Sequence, residues 1–246
     1  MPQVGIFNNQ QQFYGVNPTF SGMTLLNTAR NLKSYWYFDD FFENGVTAPN
    51  IWGAATAGVG AVYAKTNVTA VRPGIISVGT GTTAAGTCGI FSDPLGILFG
   101  AGQFTVETEI YLYDLSTAIE EYAFYFGFGD VLTGDQVDGA YLKYDRTASL
   151  NWLACTADNS VRTATDTGIP VVAGAWLKLK VVVNALGAAV TYYLNDILIG
   201  TVITNIPTGG GRNTGTLWNM VKSVGVTARN FLIDWAWLHV DLSVSR

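Results

Sequence analysis

Residues 174–201, GAWLKLKVVVNALGAAVTYYLNDILIGT, leave this chain few folds to choose from. Trp176, Leu177, Leu179, Val181 and Val183 lead into Asn184-Ala185-Leu186-Gly187. The chain returns through Val190, Tyr192 and Leu194, turns at Asn195-Asp196, and leaves through Ile197 and Ile199. Alternation with a period of two between turn formers marks half-buried strands of an antiparallel sheet. Asn195-Asp196 departs from the Asn-Gly pair that a type I′ turn favours.

The rest of the chain carries the same signature. FTVETEIYLYDL (104–115) puts Phe104, Val106, Thr108, Ile110 and Leu112 on one face. Its other face carries Thr105, Glu107, Glu109, Tyr111 and Tyr113. EYAFYFGFGDV (121–131), GAYLKYD (139–145) and LNWLACTA (150–157) follow at short intervals, and NFLIDWAWLHVDL (230–242) closes the chain. In that last strand unbroken alternation groups Phe231, Ile233, Trp235, Trp237 and His239 on one face, opposite Leu232, Asp234, Ala236, Leu238 and Val240. Further strands are expected at 34–42, 61–64, 70–72 and 75–78, with a small-residue loop at 79–87. Strands at this spacing without intervening helices predict an all-β sandwich.

Composition agrees and narrows the partners. With 246 residues, 49% of them hydrophobic and 28 of them glycine, the chain can fill one large β domain joined by Gly-rich turns. Only 13% of residues are charged, which leaves an apolar outer surface and points to burial against other subunits. A net charge of −5 without any basic run argues against nucleic acid. No apolar run approaches the roughly 18 residues of a membrane span, and MPQVGIFNNQQQFYG lacks the basic and apolar regions of a signal peptide. Synthesis in the cytoplasm without Sec export is therefore expected, compatible with later release in a larger particle. Cys88 and Cys155 are expected to be free buried thiols, and a single histidine without a CxxC pair argues against structural zinc.

Two domains follow: a polar amino-terminal arm over residues 1–34 and a sandwich over 35–246. The pieces FTVETEI, YFGFGD, GAYLKYD, AWLKLKVVVN, VTYYLNDILIGT and LIDWAWL, in that order, resemble the concanavalin A-like lectin/glucanase jelly roll, including its laminin G-like branch. WYFDDF (36–41), TADNSVRTATDTGIPVVAGAWLKLKVVVN (156–184), TNIPTG (204–209) and KSVGVTARNFLIDWAWL (222–238) resemble jelly-roll virion proteins of tailed bacteriophages. The resemblance implies a concanavalin A-like jelly-roll β-sandwich in a virion setting, and it brings no catalytic residue.

Few residues suggest chemistry. Glu107 and Glu109 point to one strand face, as paired carboxylates do in retaining glucanases, but Val-Glu-Thr-Glu-Ile-Tyr lacks the central Asp and closing Glu of the Glu-x-Asp-x-x-Glu motif. They read better as acidic residues on a solvated strand. Asp130, Asp135 and Asp138 offer oxygen ligands for calcium, yet their spacing fits no EF-hand, and Asp39 and Asp40 suit a strand end. No cofactor is expected, calcium being the one alternative. His239 has no serine elbow or cysteine partner in the sequence. The aromatics Tyr111, Tyr113, Trp152, Trp235 and Trp237 are candidates for stacking a sugar on the concave sheet, against a competing reading as core.

The leading expectation is a non-enzymatic bacteriophage virion structural protein, as capsid decoration or a head or tail fibre component. It would form a homo-oligomer, a trimer by the symmetry common among such proteins, with the major capsid protein among its partners and the arm gripping the particle. The alternative is a lectin-like module that recognises host-surface glycan. A glycoside hydrolase using Glu107 and Glu109 ranks third.

Overall fold

In Trp176–Val183 every second side chain is buried, so the alternation legible in WLKLKVVV is the alternation of a sheet with one face on a core. The computed structural model describes residues 5–7, 10–12, 33–41, 53–66, 71–72, 74–92 and 96–244. Among these every regular element is a strand. In chain order they are β1 (Gly5–Phe7), β2 (Gln10–Gln12), β3 (Ser34–Asp39), β4 (Gly53–Ala57), β5 (Ala61–Lys65), β6 (Ile76–Thr80), β7 (Thr87–Phe91), β8 (Gly102–Leu112) and β9 (Tyr122–Gly129). Then come β10 (Gly139–Asp145), β11 (Asn151–Asp158), β12 (Val161–Pro170), β13 (Trp176–Val183), β14 (Val190–Leu194), β15 (Ile197–Val202), β16 (Gly215–Lys222) and β17 (Asn230–Leu242).

Two antiparallel sheets pack face to face. Sheet I runs β15-β14-β13-β8-β17-β6-β5, with β3 pairing the far end of β17. Sheet II runs β12-β11-β10-β9-β16-β7-β4. This interleaving of distant strands is the jelly-roll sandwich expected from the sequence. Val106, Ile110, Leu179, Val181, Phe231 and Ile233 of sheet I meet Phe124, Phe126, Phe128, Leu142, Trp152 and Trp218 of sheet II in one core. Each aromatic there removes about 150–250 Å² from water. Of the arm, β1 and β2 form a short antiparallel pair and Ser34 already belongs to β3, while most of residues 1–32 lies outside the described residues. The strand expected at 70–72 is reduced to a turn at Val71 and a bridge at Arg72.

The two outer faces differ. Sheet II has a second apolar cluster on its outside, formed by Tyr125, Tyr141, Leu153, Cys155, Ala157 and Leu217. The β9–β10 loop covers it: Leu132 packs on this cluster, and Asn219 of β16 donates to the Leu132 carbonyl. Gln136, fully buried, holds the loop by accepting from the Asp130 and Val131 amides at 2.9 and 2.8 Å and donating to the Val131 and Gly134 carbonyls. Among the described residues no comparable loop closes the outer face of sheet I, which they leave open.

Two local devices set the geometry. Asn195 and Asp196 both have positive φ, 49° and 66°, so the β14–β15 hairpin takes the handedness of a type I′ turn without glycine. Asn159-Ser160, at 51° and 67°, does the same between β11 and β12. In β17 the register against β8 shifts between Ile233 and Trp235, which makes Asp234 the extra residue of a β-bulge. The bulge corrects the face assignment made from unbroken alternation. Phe231 and Ile233 point inward together with Ala236 and Val240, whereas Trp235, Trp237 and His239 join Leu232 on the outer face.

Candidate functional site

The open face of sheet I is built from rows of directly opposed residues. One row runs Tyr193, Lys180, Glu107, Trp237 and Phe38 across β14, β13, β8, β17 and β3. The next places Lys178, Glu109 and Trp235 side by side, and a third places Trp176, Tyr111 and Leu232. Opposed residues on one face of a sheet lie within contact distance. Aromatic rings and charges therefore interleave over three central strands.

The charges pair with one another. Glu107, whose side chain is 7% exposed, sits between Lys178 Nζ at 2.7 Å and Lys180 Nζ at 3.1 Å. Asp196 at the hairpin turn reaches the same two ammonium groups at 3.0 and 3.3 Å. Burial works against the Lys178 charge, but its bonds to Glu107 and Asp196 prevail and its pKa is raised. Arg72 grips Glu109 with both ends of its guanidinium, at 2.8 and 3.0 Å, pairs with the bulge carboxylate Asp234, and stacks on the Trp176 ring 4.1 Å away. That grip holds the Glu109 carboxyl below its ordinary range and raises Arg72. Asp234 is raised, because burial outweighs the pull of Arg72.

The rings fall into three contacting groups along the face. Tyr113 meets Tyr111 edge-on at 5.2 Å, and Tyr111 lies 5.6 Å from Trp176. Trp235 donates its indole N–H to Glu109 at 3.3 Å and neighbours Phe38 at 6.2 Å. Trp237 stacks parallel to the His239 ring at 5.4 Å. Tyr113 and Phe38 are 46% and 45% exposed, and Tyr111, Trp176, Trp235 and Trp237 are half-buried.

Four of the five aromatics predicted from the sequence, Tyr111, Tyr113, Trp235 and Trp237, are thus brought to one face. Trp152 is not among them. Its side chain is fully buried on the inner face of β11, 6.2 Å from Phe124, and it cannot reach a ligand from outside. Glu107 and Glu109 do share a face, but both carboxylates are tied to cations rather than solvated. Trp176, Lys178 and Lys180 follow from the alternation of WLKLK, whereas nothing in the sequence links Arg72 to Glu109 and Asp234, 37 and 162 residues away.

The other candidates resolve into structural roles. Asp130 accepts the Val137 and Asp138 amides, Asp135 pairs with Lys143 at 2.7 Å, and Asp138 accepts the Asn159 amide at 2.7 Å. Among the described residues no group of three acidic, His or Cys side chains is arranged for a metal. Asp39 accepts the Phe41 amide at 2.7 Å and ends β3. His239 contacts Ser34 Oγ at 2.9 Å and Asp241 at 3.4 Å, both through Nε2. A serine–histidine–carboxylate relay needs the two partners on different ring nitrogens, so this trio is not one.

This sandwich is the fold shared by lectins and β-glucanases. Peanut lectin, solved with a nine-residue peptide, superposes with a TM-score of 0.57 at 12% identity, over 86% of this chain and 99% of that one. The endo-1,3-β-glucanase of Streptomyces sioyaensis superposes at 0.55 and 12%, over 86% and 97%. The chain itself belongs to the family described as SO2946-like, C-terminal domain, whose profile matches residues 71–234. The structure of SO2946, a protein of unknown function from Shewanella oneidensis MR-1, has a TM-score of 0.64 at 13% identity and covers 95% of this chain and 99% of its own. No curated protein matches the sequence.

Proposed function

We propose that this protein is a non-enzymatic carbohydrate-binding module whose ligand lies on the open face of sheet I. The observation that carries the reading is the array of partly exposed rings, Tyr113, Tyr111, Trp176, Trp235, Phe38 and Trp237, interleaved with fixed charges. Flat rings take the apolar faces of sugars, and paired charges beside them offer directed hydrogen bonds to hydroxyls. The likeness to peanut lectin supports the ligand class. Hydrolysis fits this face poorly. A retaining glycosidase needs one carboxyl with a raised pKa as its acid, and Arg72 pushes Glu109 the other way. Binding to a panel of bacterial surface polysaccharides tests the proposal, with Trp237→Ala and Tyr113→Ala expected to weaken it. No binding to any of them, or polysaccharide cleavage lost in Glu107→Gln, would overturn it.

A second reading keeps the sequence resemblance to phage virion proteins: a structural component of the particle, made in the host cytoplasm and assembled as a homo-oligomer against the major capsid protein. Large apolar side chains that stay exposed at one edge of the sandwich, among them Ile197, Leu198 and Ile203, favour assembly. Mass spectrometry of purified virions tests it, and absence of the protein from the particle would sink it.

A further inference from the structure

Among the described residues β12 is the outermost strand of sheet II and pairs with β11 alone, which leaves its second edge unpaired. Its burial pattern is exposed at nearly every position. Over Val161–Asp166, where β12 keeps its register with β11, this edge is a template for another strand, and proteins normally shorten, bend or cover such edges. Here the edge is instead complementary to itself. About Ala164 the sequence reads Arg162-Thr163-Ala164-Thr165-Asp166. If two copies align antiparallel about a two-fold axis at Ala164, Arg162 of each stands opposite Asp166 of the other, and each Thr163 stands opposite a Thr165.

In the single chain both charged groups bond within the chain, so pairing across the joint would exchange those bonds for intermolecular ones. Ala164 and Arg162 lie opposite Cys155 and Ala157 of β11, so Arg162, Ala164 and Asp166 share the outer face of sheet II, with the threonines on the other. Arg162 is braced by Nε to the Gln136 carbonyl at 2.8 Å and by Nη2 to the Asp135 carbonyl at 3.4 Å. Asp166 is braced by Ser149 at 2.6 Å, Asn151 at 2.9 Å and the Gly168 amide at 2.7 Å. Opposite charges and threonine pairs directly across an antiparallel ladder are favourable, and like charges there are unfavourable.

A second observation marks the same edge. Val161 and Ile169 on β12 are 60% and 38% exposed, and the neighbouring edge strand of sheet I exposes Ile197 and Leu198, followed by Ile203. The two edges touch where Thr163 bonds Thr204 at 2.8 Å. Strand pairing would continue sheet II across both copies and bring these apolar side chains toward the joint.

We propose that β12 is a homodimerisation edge, its occupant the β12 of a second copy in the register centred on Ala164. Sedimentation velocity of the full chain over a concentration series should show a monomer–dimer equilibrium. Arg162→Asp and Asp166→Arg should each weaken dimerisation about tenfold or more, because each turns both ion pairs into repulsions. An equimolar mixture of the two variants should recover dimers, because one chain then presents only aspartates at these two positions and the other only arginines. A wild-type chain that stays monomeric or forms trimers would overturn the proposal, as would single variants that dimerise like wild type or a mixture that stays monomeric. If Asp166→Arg loses its near-UV circular dichroism, hydrogen exchange decides. Protection over 161–167 that rises with concentration in wild type, and does not rise in Arg162→Asp, is expected; protection independent of concentration in wild type overturns it.

Discussion

Ile233 and Trp235 are two residues apart in β17, yet they sit opposite neighbouring residues of β8, Ile110 and Glu109. Asp234 is the residue in excess, and it decides which side chains of the last strand face outward. Beyond it Trp235 and Trp237 join the open face, while Ala236 and Val240 complete the core.

Deleting Asp234 should therefore leave the faces of the strand unchanged. Ile233 and Trp235 become neighbours opposite Ile110 and Glu109, so plain alternation keeps Phe231 and Ile233 inward and Trp235 and Trp237 outward. Cooperative unfolding in urea is expected to persist, and its loss would mean that the bend of the bulge is itself required. Asp234→Ala keeps the bulge and removes one partner of Arg72, at a cost of about 1–2 kcal/mol in urea unfolding.

Arg72 ties three elements together through Glu109, Asp234 and Trp176. Arg72→Ala leaves two partly buried carboxylates facing each other and should cost about 2–3 kcal/mol. Arg72→Lys should recover less than half of that, because an ammonium cannot form the two-pronged bond to Glu109 or stack on the indole. Full recovery by lysine would mean that charge alone accounts for the clamp.

Acid should loosen the same clamp through Glu109. Its carboxyl is lowered in the fold from an ordinary value of 4.5, so its stabilising contribution is complete above that pH and is lost as pH falls through the folded value. Asp234 has the opposite sign. Raised above 3.8, it favours the fold at low pH, and that contribution fades as pH rises through its folded value. Glu109→Gln should flatten the loss of urea stability below pH 4.5, and Asp234→Asn should steepen it. A wild-type acid profile unchanged in Glu109→Gln would place the acid-labile group elsewhere.

Tryptophans that look equivalent in sequence should behave oppositely. Trp152→Ala empties a fully buried site and should cost about 3–5 kcal/mol. Trp237→Ala, on the open face, should cost about 1 kcal/mol or less while weakening glycan binding about tenfold. Calorimetric titration beside thermal unfolding separates the two effects.

What the sequence disclosed follows from how each strand is solvated. β8, β13 and the hairpin to β15 have one face on the core and one toward water, so their period of two is visible. β16, GTLWNMVK, is buried on nearly every residue because the β9–β10 loop covers its outer side, and a strand covered on both faces loses its alternation. β12 fails for the opposite reason, being exposed at almost every position. β4 and β7 are built mainly of Gly, Ala, Thr and Cys, which carry little periodic signal. The candidate face was half legible: alternation brings Glu107, Glu109, Tyr111 and Tyr113 together, but the bulge at Asp234 and the long-range reach of Arg72 leave no local trace.

The two cysteines offer a probe of the core itself. Cys88 and Cys155 are free and buried, on opposite sides of sheet II: Cys88 in the main core, Cys155 in the cluster under the β9–β10 loop. Burial pushes their thiols up to about 11 and about 12, so neither carries appreciable thiolate at neutral pH, and the thiolate is the reactive form. Both should resist a thiol reagent in the folded protein and react together on global unfolding. Asn219→Ala, which frees the Leu132 carbonyl and slackens the loop, should expose Cys155 selectively and leave Cys88 protected. Equal acceleration of both thiols would mean that the loop and the main core open as one unit.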